Sequence, residues 1–298
     1  MKKKLKGIWI AVVAILGLIL TFGSADAYKT NVFNLVSGES KGNITLSYVT
    51  WDTEIASTNV IAEVLRQAGY TVETTPLDNA IMWSSVATNE ADAMVGAWLP
   101  NTHAPQYEQY GDQMEDLGPN LEGAITGLTV PTYMEDVNSI EDLSDEANQT
   151  ITGIEPGAGV VAAAEDAVGT YSNLQGWTVQ TSSSGAMTTE LGTSIASEDD
   201  IVITGWSPHW MFQEYDLKYL EDPKGVFGEG ETINTMVRQG LQDDMPEAYQ
   251  ILDNFYWEVA DMESVMAEIN KGADPQTAAQ AWIEENQETV DQWLAVEE

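Results

Sequence analysis

From Ile44 onward the chain alternates short apolar runs of strand character with amphipathic runs of helical period, and this order constrains the fold more than any other feature. Ile44 to Val49 reads as a strand, and Thr71 to Thr75, Ala93 to Val95, Thr150 to Ile154 and Ile201 to Thr204 repeat the pattern. Between the first two, Val60, Ile61, Val64, Leu65 and Ala68 mark one helix face, with Ser57 or Thr58 as the expected cap and Gly69 as the stop. Such alternation favours an α/β fold with largely parallel sheets. Gly123 to Pro131 and Thr232 to Val237 read as further strands, and after Val237 only helical patterns remain. The last of these opens at Pro275 and carries Ala278, Ala281, Trp282, Val290 and Trp293 as its apolar stripe; Trp257 also falls in a helical pattern. Two α/β lobes joined by chain crossings near 112–125 and 230–240 account for this order. The hydrophobic content of 43% is enough to fill both cores.

The first 27 residues belong to a different problem. Lys2, Lys3, Lys4 and Lys6 precede an uncharged apolar run from Gly7 to Gly23 and then Ala25-Asp26-Ala27. A basic start, an apolar stretch and a small-x-small site make a secretory signal cut after Ala27, with an uncleaved anchor through residues 8–22 as the rival. Residues 28–43 are polar and turn-rich, a linker. The chain holds no cysteine, so it has no thiol for lipid attachment. Removing residues 1–27 takes four of the 11 basic residues and one of the 48 acidic ones, leaving 7 against 47, a net charge of −40. Most of those acids must be solvated surface. Phosphate contacts need Lys and Arg, so nucleic acid is excluded as a partner. Self-repulsion on this scale is relieved by salt, which points to a saline setting.

Three tryptophans share one place in this grammar. Trp51 follows Tyr48-Val49-Thr50, Trp98 follows Val95-Gly96-Ala97, and Trp206 follows Ile203-Thr204-Gly205, each placed just past a strand's C-terminal end. Ligands of open α/β sheets bind at that edge. Core packing is the competing reading for all three. Three indoles around one cavity suit a quaternary ammonium, which has a diffuse positive charge and no N–H to donate. A second feature, Gly153-Ile154-Glu155-Pro156-Gly157-Ala158-Gly159, lies between a strand and the apolar helix starting near Val160. Backbone N–H groups at such a turn attract an anion, and a carboxylate suits them. The stretch Gly157 to Ala162 also fits the G-x-G-x-x-A dinucleotide pattern, a weak signal in an exported chain, and a plain tight turn is the third reading. With only His103 and His209, a multi-histidine metal site is not available. His103, five residues after Trp98, is placed to donate to a ligand carboxylate, whereas His209 suits packing equally well. No Gly-x-Ser-x-Gly elbow supports a Ser-His-Asp triad.

Four segments together resemble the substrate-binding proteins of glycine betaine ABC importers, the OpuAC-type family. They are Tyr48 to Val60, Ala97 to His103, Gly153 to Gly159, and Gly205 to Phe212, and the likeness runs from Ile44 to Trp293. The resemblance implies a bilobal, Venus-flytrap fold of the type II periplasmic class with two hinge crossings. Lobe 1 is expected at 44–115 plus 236–298 and lobe 2 at 116–235. It implies a cage of Trp51, Trp98 and Trp206 for the trimethylammonium group, and Gly153 and Ile154 N–H with His103 for the carboxylate. It implies a monomeric, extracytoplasmic protein without cofactor, metal or enzymatic activity. Such a protein delivers a betaine ligand to membrane subunits served by a separate ATPase. Choline, carnitine and proline betaine are the alternative ligands, and an exported α/β hydrolase or Rossmann-type enzyme is the rival from another class.

Overall fold

The structure is a computed structural model and describes residues 40–296. The leader read over residues 1–27, and residues 28–39 of the linker, lie outside the described residues. The first half runs β1 (Asn43–Tyr48), α1 (Asp52–Gln67), β2 (Thr71–Pro76), α2 (Asn79–Ala87), β3 (Ala93–Leu99) and α3 (Ala104–Tyr110). β1 pairs in parallel with both β2 and β3. The long strand β4 (Met114–Pro131) then leads to β5 (Thr150–Thr152), α4 (Gly159–Thr170), β6 (Thr178–Gln180), α5 (Ser184–Ser197), β7 (Val202–Ser207), α6 (Met211–Glu214) and β8 (Leu217–Tyr219). Here β5 pairs in parallel with β6 and β7. β9 (Glu231–Arg238) returns to the first half, and five helices end the chain, from α7 (Leu241–Asp244) and α8 (Pro246–Asn254) through α9 (Val259–Asn270) to α10 (Pro275–Glu285) and α11 (Gln287–Trp293).

The strand order is β2-β1-β3-β9-β4-β7-β5-β6, with β8 on β4. Both ends are parallel as expected, but the centre is antiparallel, because β9 and β4 carry the chain between halves instead of closing a strand–helix–strand unit. β4 pairs with β9 up to Ala124 and with β7 from Ile125, so a single strand changes sheet at that point. The chain goes back between Tyr219 and Glu231.

Three local expectations are corrected. α1 begins at Asp52, with Trp51 in the cap position, not at Ser57 or Thr58, which are buried inside it. Its first turn carries Asp52 and Glu54, acids that suit the positive end of the helix dipole. The helix expected from Pro275 onward is broken at Asn286 into α10 and α11, and its buried face is Ala278, Ala279, Trp282 and Ile283, with Ala281 exposed. Trp257 lies between α8 and α9, outside any helix, and packs edge-on to Trp282 at 5.7 Å; Trp282 stacks on Trp293 at 5.6 Å. Each such buried indole contributes roughly 4–6 kcal/mol of transfer free energy before chain entropy is counted. The aromatic cluster fixes the C-terminal helices, and Gln276 and Gln280 of α10 both donate to Glu63 of α1 at 2.8 Å.

Candidate functional site

The edge where β1, β3 and β7 end carries the three predicted indoles. Trp51 follows β1 by three residues, whereas Trp98 and Trp206 are the penultimate residues of β3 and β7 and still pair with neighbouring strands. All three are almost fully buried and line one cavity of about 300 Å³, its open mouth included. Thr53 and Thr102 from the first half, and Thr126, Ile154, Ala158, Gly159 and Val160 from the second, complete a nearly all-apolar wall. The two halves close tightly here. A Cβ on Gly159 would lie 2.1 Å from the Thr102 carbonyl oxygen, so this approach requires glycine. Glu231 fixes the Thr102 loop by accepting from the amides of Asn101 and Thr102, each at 2.6 Å, and from the Thr102 hydroxyl.

Carboxylates hold the polar edges of the indoles. Trp98 Nε1 donates to Glu54 Oε1 at 2.7 Å, and Trp51 Nε1 donates to Glu155 Oε2 of the opposite half at 3.0 Å. Glu155 also accepts from the Ser184 amide at 3.0 Å. Asp52 is a second bridge between halves: it accepts from Trp210 Nε1 at 2.8 Å and Ser184 Oγ at 3.0 Å, and lies 3.3 Å from His209 Nε2. Burial pushes the Asp52 carboxyl up, but the contacts from His209, Trp210 and Ser184 outweigh it and hold it below the usual range. Glu54 has no cation among the described residues, and burial pushes it up to about 7 against the hydrogen bonds from Thr53 and Trp98.

His103 is fully buried, and desolvation brings it down to about 3, so it is neutral. Its Nδ1 accepts the Trp98 amide at 3.0 Å, which assigns the proton to Nε2. That Nε2 has no hydrogen-bond partner among the described residues. The ring stacks on Trp51 at 5.9 Å, behind the cavity wall and not in it. Gly153 departs from expectation: its N–H donates to the Gln180 carbonyl at 2.8 Å, continuing the β5–β6 ladder, and is not free for a ligand. Ile154 does line the cavity, and the N–H groups of Ile154, Gly159 and Val160 have no partner among the described residues. Those of Gly159 and Val160 open helix α4, at the positive end of its dipole.

Sequence reasoning named the indoles, Ile154 and His103 but missed Asp52, Glu54, Glu155, Ser184 and Trp210. Four of these five lie inside the segments already singled out. Among 48 acidic residues, however, no local signal separates a buried carboxylate from a solvated one. Among the described residues no group of three or more His, Cys, Asp or Glu side chains is placed to hold a metal.

A two-sheet α/β protein with an apolar cleft between its halves and unpartnered N–H groups along it is built as a solute receptor. The chain belongs to the family described as the substrate-binding domain of ABC-type glycine betaine transport systems, whose model matches residues 42–285. It is similar to lactococcal OpuAC in its closed-liganded conformation complexed with glycine betaine, with a TM-score of 0.84 and 55% identity over 86% of this chain and 100% of that one. The glycine/betaine/L-proline-binding protein ProX from Borrelia burgdorferi has a TM-score of 0.82 and 33% identity, over 85% of this chain and 97% of that one. Both likenesses establish the bilobal periplasmic-binding-protein fold. The glycine betaine/carnitine transport binding protein GbuC of Listeria monocytogenes is 46% identical over 171 residues, which are 57% of this chain. That match spans 56% of the curated relative's length, little more than half.

Proposed function

We propose that the protein captures glycine betaine, or a closely related quaternary-ammonium osmolyte, in the cleft between its lobes and hands it to the membrane subunits of an ABC importer. Three indoles drawn from both halves into one apolar cavity carry this reading. Trp51, Trp98 and Trp206 hold the trimethylammonium group, since methylated nitrogen offers no hydrogen and is held by the negative faces of aromatic rings. The Ile154 amide, on the cavity wall, takes the carboxylate, and His103 Nε2–H, covered by that wall beside Trp51, is its second donor once the ligand is seated; both are donors without partners among the described residues. The Gly153 amide, already bonded, has no part in it.

We take the lobes to meet at the sheet change of β4 near residue 124 and at the return into β9 near residue 231, instead of at 115/116 and 235/236, so that lobe 1 holds β1–β3, β9 and the C-terminal helices, and lobe 2 holds β5–β8. A ligand touching both lobes favours the closed state by its differential affinity, and the closed state is the form the membrane subunits recognise. The protein acts as a monomer outside the cytoplasmic membrane, free after cleavage at Ala27 or held by residues 8–22. ATP hydrolysis is the work of a separate chain, and no catalytic step is assigned to this one.

Calorimetric titration with glycine betaine tests the cage. Each ring contact contributes roughly 0.5–2 kcal/mol, so Trp98→Ala and Trp206→Ala should each weaken binding about tenfold or more. Wild-type affinity in both variants would remove the cage.

A further inference from the structure

The cavity presents aromatic carbon to its ligand, yet a carboxylate with no cationic partner lies directly behind that surface. Glu54 is 1% exposed, accepts from Trp98 Nε1 at 2.7 Å and from Thr53 Oγ1 at 2.5 Å, and both donors belong to cavity-lining residues. The fold makes room for it. A Cβ on Gly96 of β3 would stand 2.6 Å from Glu54 Cγ, so the side chain occupies space that any other residue at 96 would take. A buried acid that neither pairs with a cation nor serves the core costs stability, and its position is explained by what comes to the other side of Trp98.

We propose that Glu54 is the counter-charge of the site, a positioning residue that fixes the Trp98 indole and whose ionisation is coupled to occupation of the cage by a cation. The proposal rests on the quaternary-ammonium reading above. In the empty site the carboxyl is pushed up to about 7, so near neutrality it carries a proton for part of the time. A fixed positive charge beyond the ring favours the carboxylate, and the proton leaves to solvent as the ligand enters. Thr53 permits either state, since its hydroxyl donates to the carboxylate or accepts from the acid. Both of Glu54's hydrogen-bond partners, Thr53 and Trp98, lie in lobe 1. Asp52, on the same helix, is the titratable group whose charge acts on Glu54, pushing it further up; His103, Glu155, His209 and Glu231 are the other titratable groups of the site. None of them bonds to its carboxylate.

The test is betaine titration by calorimetry between pH 6 and pH 8, in buffers of different ionisation enthalpy, on the wild type, Glu54→Gln and Gly96→Ala. Gln keeps the acceptor for Trp98 Nε1 and removes the charge. If the charge favours the ligand about tenfold, wild-type affinity rises roughly fivefold from pH 6 to pH 8, and about half a proton is released per betaine at pH 6.5. Glu54→Gln should bind about tenfold more weakly at pH 8, with no proton release in this range. Gly96→Ala, which displaces the side chain by another route, should lose the same proton. Wild-type binding without proton release overturns the proposal even if both variants misfold. So does an unchanged pH profile in Glu54→Gln, which would assign the titration to another group such as His209. A wild type that fails to bind betaine at all overturns the cage reading itself, an outcome distinct from these.

Discussion

The imidazole of His103 is buried, neutral and engaged through Nδ1, so the only hydrogen it retains for a ligand is on Nε2. A donor of that kind matters to a carboxylate and does nothing for a hydroxyethyl cation. His103→Ala should therefore weaken betaine binding by about tenfold and leave choline affinity unchanged, measured by parallel titrations. Equal losses for both ligands would mean that the ring acts only as a support for Trp51, on which it stacks. The indoles were legible in the sequence because aromatic residues at strand ends form a pattern visible along the chain. The acids that orient them were not. Glu54 and Glu155 differ from their solvated counterparts only through tertiary contacts with Trp98 and Trp51, 44 and 104 residues away.

Among the elements, the meeting of α4 with the loop after β3 sets how far the cleft closes. Gly159 opens the helix and lies against the Thr102 carbonyl, whose loop is held by Glu231. A methyl group there has no room in the closed state but meets no obstacle once the halves separate. Gly159→Ala should thus leave the melting temperature of the ligand-free protein within a few degrees of wild type and reduce betaine affinity by at least tenfold. A variant that binds normally would show that the loop yields. Seven of the nine described strands were readable as short apolar runs, β4 only in its second half; the three-residue β6 and β8 were not. The antiparallel centre was not readable, since the apolar runs of β4 and β9 look alike whichever direction a partner takes. The start of α1 was also misplaced. Its cap is a tryptophan backbone with no side-chain bond, whereas Ser57 and Thr58 supply the usual cue six and seven residues too late.

Over the whole molecule, charge is the dominant feature: 48 acids against 11 basic residues. The described ion pairs are few, and two of them, Arg238 to Asp92 and to Asp244, share one guanidinium. Repulsion among the remaining surface carboxylates opposes compaction, and at 1 M salt the screening length shrinks to about 3 Å. The melting temperature should rise markedly between 0.05 M and 1 M NaCl, followed by circular dichroism; a flat response would separate the acidity from any saline setting. The long strand β4 has a mechanical consequence of its own. Hydrogen-bonded on either side of the Ala124–Ile125 junction, it is a leaf spring clamped at both ends, and with the return between Tyr219 and Glu231 it makes two ribbons that any parting of the jaws would flex. At the rim the halves are joined by polar contacts, among them Trp51 with Glu155, Asn79 with the Gly157 carbonyl, and Asp52 with Ser184 and Trp210. On the proposed closure, a bound solute of few atoms adds its own contacts to these in holding the jaws shut.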